Sequence, residues 1–423
     1  MPQLNIVNYA KIKLQFILEE INKLKHSDFP EESVINSLNI LEILTQDHIN
    51  RLDRLPPQPQ NNLHANNSNV WATTCQSTNQ YISQVLPTLG FILRSTNVRN
   101  AFELYDPILL MCRKFFGQNI CLILSSEWDF SPLTYPVASK LDNYVFIGMP
   151  VSEAGNALII PLVGHEVAHS IWRNKKLSLK IEQEVKDQVM QEIKYNESEF
   201  KKIFGEFDAK TFMNELFFIE EIKTSTKMSI RQCEEEFCDL FGCRIFGDSY
   251  LDAFEYLLAP GFGQREVQYL DLSDRANILI TASKEWEFSD RPNYTLNFNK
   301  NPPPKSIQSN NQDTLLLKVS DSVTKHMSQK LMGLVVDICN ENNIPLPNKN
   351  LSKKVLEDFY SGVPSDKAKN YADIVNAGWE AMKLNEFWND RPELMEYKLE
   401  NLSQLIFKSI EVAEYNRRIS NLS

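Results

Sequence analysis

The stretch PLVGHEVAHSIW, residues 161–172, decides how the middle of this 423-residue chain is interpreted. It places His165, Glu166 and His169 within five positions, in a chain that has only six histidines. Pro161 suits the first turn of a helix, because a proline there loses no hydrogen bond. We therefore predict a helix from about residue 161 to 175, with the two imidazoles one turn apart on one face.

A His-Glu-x-x-His pattern on a helix is typical of zinc hydrolases, because two imidazoles on one face can bind one tetrahedral Zn²⁺. Glu166 lies about 100° round the helix, so its carboxylate can reach the metal-bound water without competing for the metal. The ion lowers the pKa of that water toward ~7, and the carboxylate accepts its proton. The residues around the motif are uncharged, which favours a buried zinc helix over a solvated one.

Two imidazoles and a water molecule leave one protein ligand of the zinc ion unassigned. A third histidine six residues after the second would stand at position 175, with glycine at 172. The chain has Lys175 and Trp172 there, so that pattern is absent. The other common source of the ligand is a glutamate on a later helix.

The stretch CEEEFCDLFG offers three glutamates for this position, Glu234, Glu235 and Glu236. Only Glu235 has an aspartate four residues on, Asp239, and the two share a helix face. Glu235 could bind zinc while Asp239 holds a ligand histidine by its other ring nitrogen and fixes its tautomer. Gly242, a further turn on, would let this helix approach its neighbour closely.

We predict that this acidic helix runs from about Ile230 to Phe246. Ser229 with Gln232 three residues later matches a capping box, and Gly247 is a typical C-terminal stop.

Seven cysteines are scattered along the chain without a CxxC pair, which is typical of reduced thiols in the cytoplasm. Cys233, Cys238 and Cys243 recur every five residues. That spacing turns about 140° per step on a helix, so they cannot share a metal ion and are interpreted as small buried hydrophobic residues.

The net charge and the distribution of apolar residues argue against two classes of protein. The net charge of −11 argues against a sequence-independent nucleic-acid binder, which needs a basic surface. No apolar run approaches the ~18 residues of a membrane span, and the N-terminus reads as an amphipathic helix and not as a signal peptide. We expect a cytoplasmic protein without a membrane span.

The pattern of helices and strands suggests three regions. Residues 1–117 are predicted to be helical, with a Pro- and Asn-rich loop at 56–69 and the next helix from about 77. Residues 118–296 hold two predicted strands, NICLILSS (119–126) and NYVFIGMP (143–150), and the two motif helices. Residues 297–423 are again predicted to be helical. The fold class expected is α+β and mainly α-helical.

At this point the chain resembles the gluzincin metallopeptidases, through HEVAH at 165–169 followed by ExxxD at 235–239. Within them it looks most like the group that includes the prenyl-protein (CaaX) endopeptidases. The resemblance covers about residues 145–250. It implies a zincin-like core with a small sheet. It also implies that His165, His169 and Glu235 are the zinc ligands, that Glu166 is the general base, and that Asp239 orients a ligand histidine.

The chain departs from that group in two ways. The group often has a His-Pro-Ser segment leading to an arginine. Here the nearest stretch is YLDLSDRANIL (269–279), which has Ser273 and Arg275 but no His-Pro. The best-known members are also membrane proteins. The resemblance is therefore carried over to the zinc site and not to the substrate.

The function expected is a zinc-dependent endopeptidase of narrow specificity that acts on a peptide or protein substrate. The strand YVFIGMP (144–150) is the candidate edge for binding an extended peptide. The alternatives are a helical interaction protein with a structural or vestigial zinc site, and a metal-dependent hydrolase of a non-peptide amide or ester. An oxyanion stabiliser is also needed. The sequence leaves eight candidates open for it: His26, His48, His64, His326, Tyr250, Tyr256, Tyr269 and Tyr294.

Overall fold

The chain is mainly helical with a small three-stranded sheet, as the predicted fold class requires. The described part of the computed structural model comprises residues 6–29, 31–56, 65–97, 101–129, 131–135, 141–153, 155–205, 216–261, 263–368, 370–384, 387–388 and 397–420. No helix within these ranges is both long and apolar enough to cross a membrane.

The chain divides into two compact units, Met1–Ala154 and Gly155–Ser423. This division differs from the three predicted regions. The strands expected beside the motif helices belong to the first unit, whereas the C-terminal helices belong to the same unit as the motif helices. The Pro- and Asn-rich stretch at residues 297–312 lies within the second unit, because helices on both sides of it pack together there.

The described residues of the first unit form four α-helices and the sheet, and its core includes Leu14, Leu38, Phe91 and Phe146. The helices are α1 (Ile6–Leu24), α2 (Ser33–Asp53), α3 (Ala65–Arg94) and α4 (Ala101–Phe116). Helix α3 begins twelve residues before the predicted start at 77, so the Asn-rich end of the predicted loop is helical.

The sheet has the strand order β1-β3-β2, with β1 (Cys121–Glu127), β2 (Leu133–Thr134) and β3 (Tyr144–Pro150). Strand β3 pairs in parallel with β1 along its whole length and antiparallel with β2 at Ile147 and Gly148. The prediction that this strand forms the edge is therefore wrong. All seven of its residues are buried, as expected for a central strand. This burial accounts for the continuous apolar run in its sequence.

The described residues of the second unit form helices joined by turns and loops, without a strand. Its helices are α5 (Val163–Asn174), α6 (Leu177–Tyr195), α7 (Glu197–Phe204), α8 (Leu216–Phe246), α9 (Asp248–Leu258), α10 (Leu272–Glu285), α11 (Lys305–Gln308), α12 (Asn311–Glu341), α13 (Lys349–Tyr360), α14 (Tyr371–Lys383) and α15 (Lys398–Ser420). Helix α8 lies at the centre and contacts α5, α6, α9, α10, α12 and α14.

Helix α8 is continuous from Leu216 to Phe246, so the helix start predicted at Ser229 is wrong. The Ser229 hydroxyl donates to the backbone oxygen of Ser225 one turn back, inside the helix. The Gln232 side chain donates to Val267 and Asp321 instead of closing a capping box. The helix ends where predicted, before Gly247, whose φ of +63° suits glycine.

Candidate metal centre

The motif helix α5 begins at Val163, two residues later than predicted. The residues before it, Ala157–Leu162, form a 3-10 helix that includes Pro161. The Asn156 side chain accepts a hydrogen bond from the Leu158 amide and so fixes the start of this turn. The indole of Trp379 on α14 donates to the Leu158 carbonyl. These contacts fix the entry to α5 and therefore the direction in which its histidines point.

Helices α5 and α8 approach each other closely at two glycines. A Cβ added to Gly164 would lie 3.0 Å from the Cα of Gly242. A Cβ added to Gly242 would lie 2.3 Å from the ring of Tyr250 on α9. Gly242 thus allows the close approach that the sequence predicts for it, and this brings the histidines of α5 beside the acidic stretch of α8.

The Nδ1 atoms of both histidines contact carboxylates of α8. His165 Nδ1 lies 2.9 Å from Asp239 Oδ1, and His169 Nδ1 lies 2.9 Å from Glu234 Oε1. A carboxylate oxygen accepts a hydrogen bond from a nitrogen that carries a proton. Each contact therefore favours the tautomer with hydrogen on Nδ1 and a lone pair on Nε2. The contact of Glu234 was missed by the sequence reasoning, which considered this residue only as a ligand.

The Nε2 atoms of the two histidines converge on one oxygen of Glu235. Glu235 Oε2 lies 3.3 Å from His165 Nε2 and 3.7 Å from His169 Nε2. At Zn–N and Zn–O distances of about 2.1 Å, two donors of a tetrahedral ion lie roughly 3.4 Å apart. The same Glu235 oxygen is buried and makes no hydrogen bond to a described residue. Each Nε2 atom therefore lies at about the donor spacing of a zinc site from a buried oxygen that makes no hydrogen bond to a described residue.

Asp239 lies in a buried network that the sequence did not predict. Its Oδ1 accepts a hydrogen bond of 2.9 Å from the Tyr250 hydroxyl. Arg275 on α10 donates to both of its oxygens, from Nε at 2.7 Å and from an Nη at 2.9 Å. The carboxylate is held from three directions, so the imidazole of His165 is held as well. Arg275 occurs in the stretch singled out for the family pattern, but its partner could not be deduced from the sequence.

The carboxylates of the cluster stabilise a positive charge at the histidines. Burial lowers the pKa of His165, but the neighbouring carboxylates of Asp239, Glu235 and Glu166 outweigh it and raise the pKa to about 10. Burial raises the pKa of Glu235, yet the two imidazoles and Arg275 leave it below its ordinary value. Burial likewise opposes the charge of Asp239, but Arg275 and His165 hold its pKa well below its usual range.

Glu166 is buried on α5 between the two histidines. Its carboxylate interacts electrostatically with His165 and with the phenol of Tyr269. Glu166 follows His165 directly on this helix and is therefore close to one of the proposed nitrogen donors.

Cys238 is a further donor near the histidines, and its position was missed by the sequence reasoning. One donor atom each from His165, His169 and Cys238 lie within 4.8 Å of one another. Burial raises the pKa of this thiol well above its usual value, and the surrounding carboxylates raise it further. Zinc binds the thiolate form, so Cys238 would have to release its proton on binding the ion.

The four histidines outside the motif are not brought to this cluster by any described contact. His26 and His48 belong to the first unit, where His48 stacks on a tyrosine at 4.3 Å. His64 lies outside the described residues. His326 on α12 is exposed, and its Nδ1 lies 2.9 Å from the backbone oxygen of Ser322.

The four tyrosines proposed as oxyanion stabilisers occupy different environments. Tyr250 donates to Asp239, and Tyr294 donates to the Leu251 carbonyl at 2.8 Å. Tyr256 is 47% exposed on α9. Tyr269 lies on the segment between α9 and α10, where its ring contacts the guanidinium of Arg275.

Comparison of the chain with models of protein families, with curated proteins and with solved structures finds no match.

Proposed function

We propose that the chain is a zinc-dependent endopeptidase of the gluzincin type. His165, His169 and Glu235 would hold the ion, Glu166 would act as general base, and Asp239 would position His165. The observation that carries the proposal is the convergence of both Nε2 atoms on the buried Glu235 oxygen, which lacks a hydrogen bond to the described residues. A buried carboxylate oxygen without a donor is costly, and a divalent cation would satisfy it.

The donor set suits zinc and not magnesium or calcium. Two neutral imidazoles and one carboxylate leave a fourth position for water or substrate, which is the composition of catalytic zinc sites. When bound, the ion would polarise the substrate carbonyl and lower the pKa of a bound water to about 7. Asp239 and Glu234 would keep both imidazoles neutral at Nε2 and correctly oriented.

Glu166 would carry the proton transfers of the reaction. Its carboxylate takes a proton from the water that attacks the scissile carbonyl and later delivers it to the departing amine nitrogen. Its burial beside His165 would keep it close to this water and away from competing solvent. A purely structural zinc site would have no use for a base at this position.

The substrate class rests on the sequence resemblance to gluzincin peptidases, in HEVAH and ExxxD. A peptide or protein substrate is therefore proposed, without a commitment to a cleavage site. All seven cysteines are free thiols, which suits a reducing compartment, so a cytoplasmic place of action is part of the proposal.

Hydrolysis is tested with Glu166→Gln. Purified wild type and variant are incubated with a peptide library from a proteome digest, and new termini are identified by mass spectrometry. We expect about one zinc per chain in both proteins, and cleavage at least ~100-fold slower in the variant, because a general base contributes about 10²–10⁴-fold. Zinc binding without cleavage by the wild type would favour a structural zinc site. A wild type without zinc would refute every metal-dependent function.

The choice of third ligand is tested by comparing Glu235→Ala with Cys238→Ala. Loss of zinc from the glutamate variant and retention in the cysteine variant is the expected result, because only Glu235 presents an ionised donor to both Nε2 atoms. The zinc content after dialysis is the measurement. The reverse pattern would assign the ligand to Cys238.

A further inference from the structure

A line of exposed cations on helix α8 leads to the candidate metal centre. Lys223, Lys227 and Arg231 recur every four residues, so each lies one helical turn from the next on nearly the same face. All three are exposed, and the side chains of Lys223 and Arg231 are 57% and 69% exposed. The next position at this spacing is the buried Glu235, the proposed third zinc ligand. The cations therefore end one turn before the metal centre.

Helix α5 places a fourth exposed cation at the same end of the centre. Arg173 follows His169 by one turn, and its Nε donates to the His169 carbonyl at 3.3 Å. His165 contacts Asp239 and His169 contacts Glu234, so positions that rise along α5 fall along α8. The two helices are thus antiparallel. One turn beyond the metal centre, in the same direction, each helix carries an exposed arginine.

The positive charge of these four residues is only partly balanced. We call them the basic row: Lys223, Lys227, Arg231 and Arg173. Lys223 pairs with Glu220 of its own helix at 2.7 Å, and Arg231 lies 3.8 Å from Glu234. Within the described residues the other two cations pair with no carboxylate. The row is therefore a local positive surface in a chain with a net charge of −11, and it favours an anionic partner.

The spacing of the basic row matches the repeat of an extended peptide. Four residues of an α-helix rise about 6 Å along its axis. Side chains on one face of an extended chain recur every second residue, about 6.6 Å apart. Over the three turns from Lys223 to Glu235 the two repeats differ by only about 2 Å in total. An extended segment along α8 would therefore bring every second side chain beside a cation.

We propose that the basic row binds an extended acidic segment of the substrate, with glutamate or aspartate at every second position. This inference names the substrate class of the proposed endopeptidase and rests on that function. With the scissile carbonyl at the ion held by Glu235, the first acidic residue would lie about two residues from the cleaved bond. It would lie beside Arg231 and Arg173, and a guanidinium suits this role because it can bind both oxygens of one carboxylate.

Binding is measured separately from cleavage, with the zinc-loaded Glu166→Gln variant. The probe is a dye-labelled decapeptide of alternating glutamate and serine, and fluorescence anisotropy gives its Kd. It should bind at least about 10-fold more tightly than the peptide with glutamine in place of glutamate, and added salt should reduce this difference. Equal binding of the two peptides would overturn the inference. Tighter binding of a ten-nucleotide oligothymidine than of the glutamate peptide would also overturn it, in favour of a nucleic acid.

Two double variants, made in the Glu166→Gln background, remove the same number of charges from different helices. Lys223→Gln with Lys227→Gln should weaken binding of the glutamate peptide by about 5-fold, because each exposed ion pair contributes little. Lys353→Gln with Lys354→Gln, on two exposed lysines of α13, is the matched control and should stay within about 2-fold. Equal losses in both variants would mean that only net charge matters and would refute the basic row.

The spacing is tested with a decapeptide of the same composition whose glutamates are contiguous. The alternating peptide should bind at least about 3-fold more tightly, because only its side chains match the helical repeat on one face. Equal affinities would refute the match between the two repeats.

Arg231→Gln in the otherwise wild-type protein tests the effect on turnover. For the acidic library peptide that wild type cleaves fastest, we expect KM to rise by about 3-fold and kcat to stay within about 2-fold. A charge one turn from the reacting bond contacts the substrate equally in the ground state and the transition state. A fall in kcat with an unchanged KM would contradict a role in binding.

Failure of this inference can be told apart from failure of the proposed function. A protein that binds the glutamate peptide but cleaves no library peptide refutes the endopeptidase and leaves the basic row as a surface for acidic peptides. A protein that cleaves peptides without a preference for acidic residues, and does not bind the glutamate peptide, refutes the role of the basic row and leaves the endopeptidase standing.

Discussion

At the scale of single residues, the centre pairs each histidine with a carboxylate. Asp239 has a strong counter-charge, since Arg275 donates to both of its oxygens. Glu234 has a weaker one, because it pairs on its own helix with the exposed Arg231, 3.8 Å from its second oxygen. The charge of Glu234 is therefore less compensated and acts more directly on His169.

Replacing Glu234 with glutamine should weaken zinc binding by about 10-fold. Glutamine keeps an acceptor for Nδ1 of His169 but loses the negative charge that makes the imidazole a better ligand. Competition with a chromophoric chelator measures the zinc dissociation constant.

Glu236→Gln is the control for this prediction. Glu236 is buried on the same helix, and burial raises its pKa to about 8, so the native side chain is already neutral at pH 7. We expect its zinc affinity to remain within about 2-fold of wild type. Equal losses in both variants would mean that the charge of Glu234 has no specific role.

At the scale of helices, the crossing of α5 and α8 determines the site. The crossing depends on Gly164, because a Cβ there would lie 3.0 Å from the Cα of Gly242. Tyr250 packs over Gly242 and donates to Asp239 from there. Gly242 thus links the packing of α8 and α9 to the hydrogen bonding of Asp239, the residue that contacts the proposed ligand His165.

Gly242→Ala should destabilise the protein by about 1–3 kcal/mol, because the added methyl group would overlap the Tyr250 ring. It should also weaken zinc binding, since Tyr250 must move away from Asp239. Chemical denaturation and chelator competition measure the two effects.

Gly333→Ala provides the matched control on helix α12. No atom lies within 4 Å of the added Cβ there, and alanine is the better helix former, so stability should rise by up to about 1 kcal/mol. If Gly242→Ala were as stable as wild type, the close packing of the Tyr250 ring on Gly242 would not be required.

At the scale of the whole molecule, a buried carboxyl links stability to pH. Asp373 near the start of α14 accepts a hydrogen bond from the Asn348 amide. Burial raises its pKa from 3.8 to about 6, and the hydrogen bond only partly opposes this. The folded state then binds a proton more tightly than the unfolded state. The contribution of this group to stability is present below about pH 4 and is lost as pH rises through about 6.

Asp373→Asn should therefore be more stable than wild type at neutral pH, because asparagine keeps the acceptor without the buried charge. The gain in unfolding free energy should grow between about pH 4 and pH 6 and stay constant above that range. Denaturation curves recorded at a series of pH values give this difference directly. A difference that does not change over this interval would show that Asp373 keeps its ordinary pKa in the folded state.

The amount of structure that could be predicted from the sequence differs between features. The helical class, the end of α8 at Gly247 and the close approach at Gly242 follow from local patterns and are observed. The start predicted at Ser229 failed because a serine can bond back to the helix it lies in, so the same residue fits a cap or an interior. The edge position of β3 failed because strand order depends on partners elsewhere in the chain.

By itself the sequence determined which donors are available, since the spacing of His165, Glu166 and His169 follows from the helical repeat alone. Only the tertiary structure decided which carboxylate meets which nitrogen. His165 contacts Asp239 across 74 positions of sequence, and Arg275 reaches that aspartate across 36. Such pairings arise from the crossing of α5, α8 and α10, which depends on how close their backbones can pack and not on any local pattern of residues.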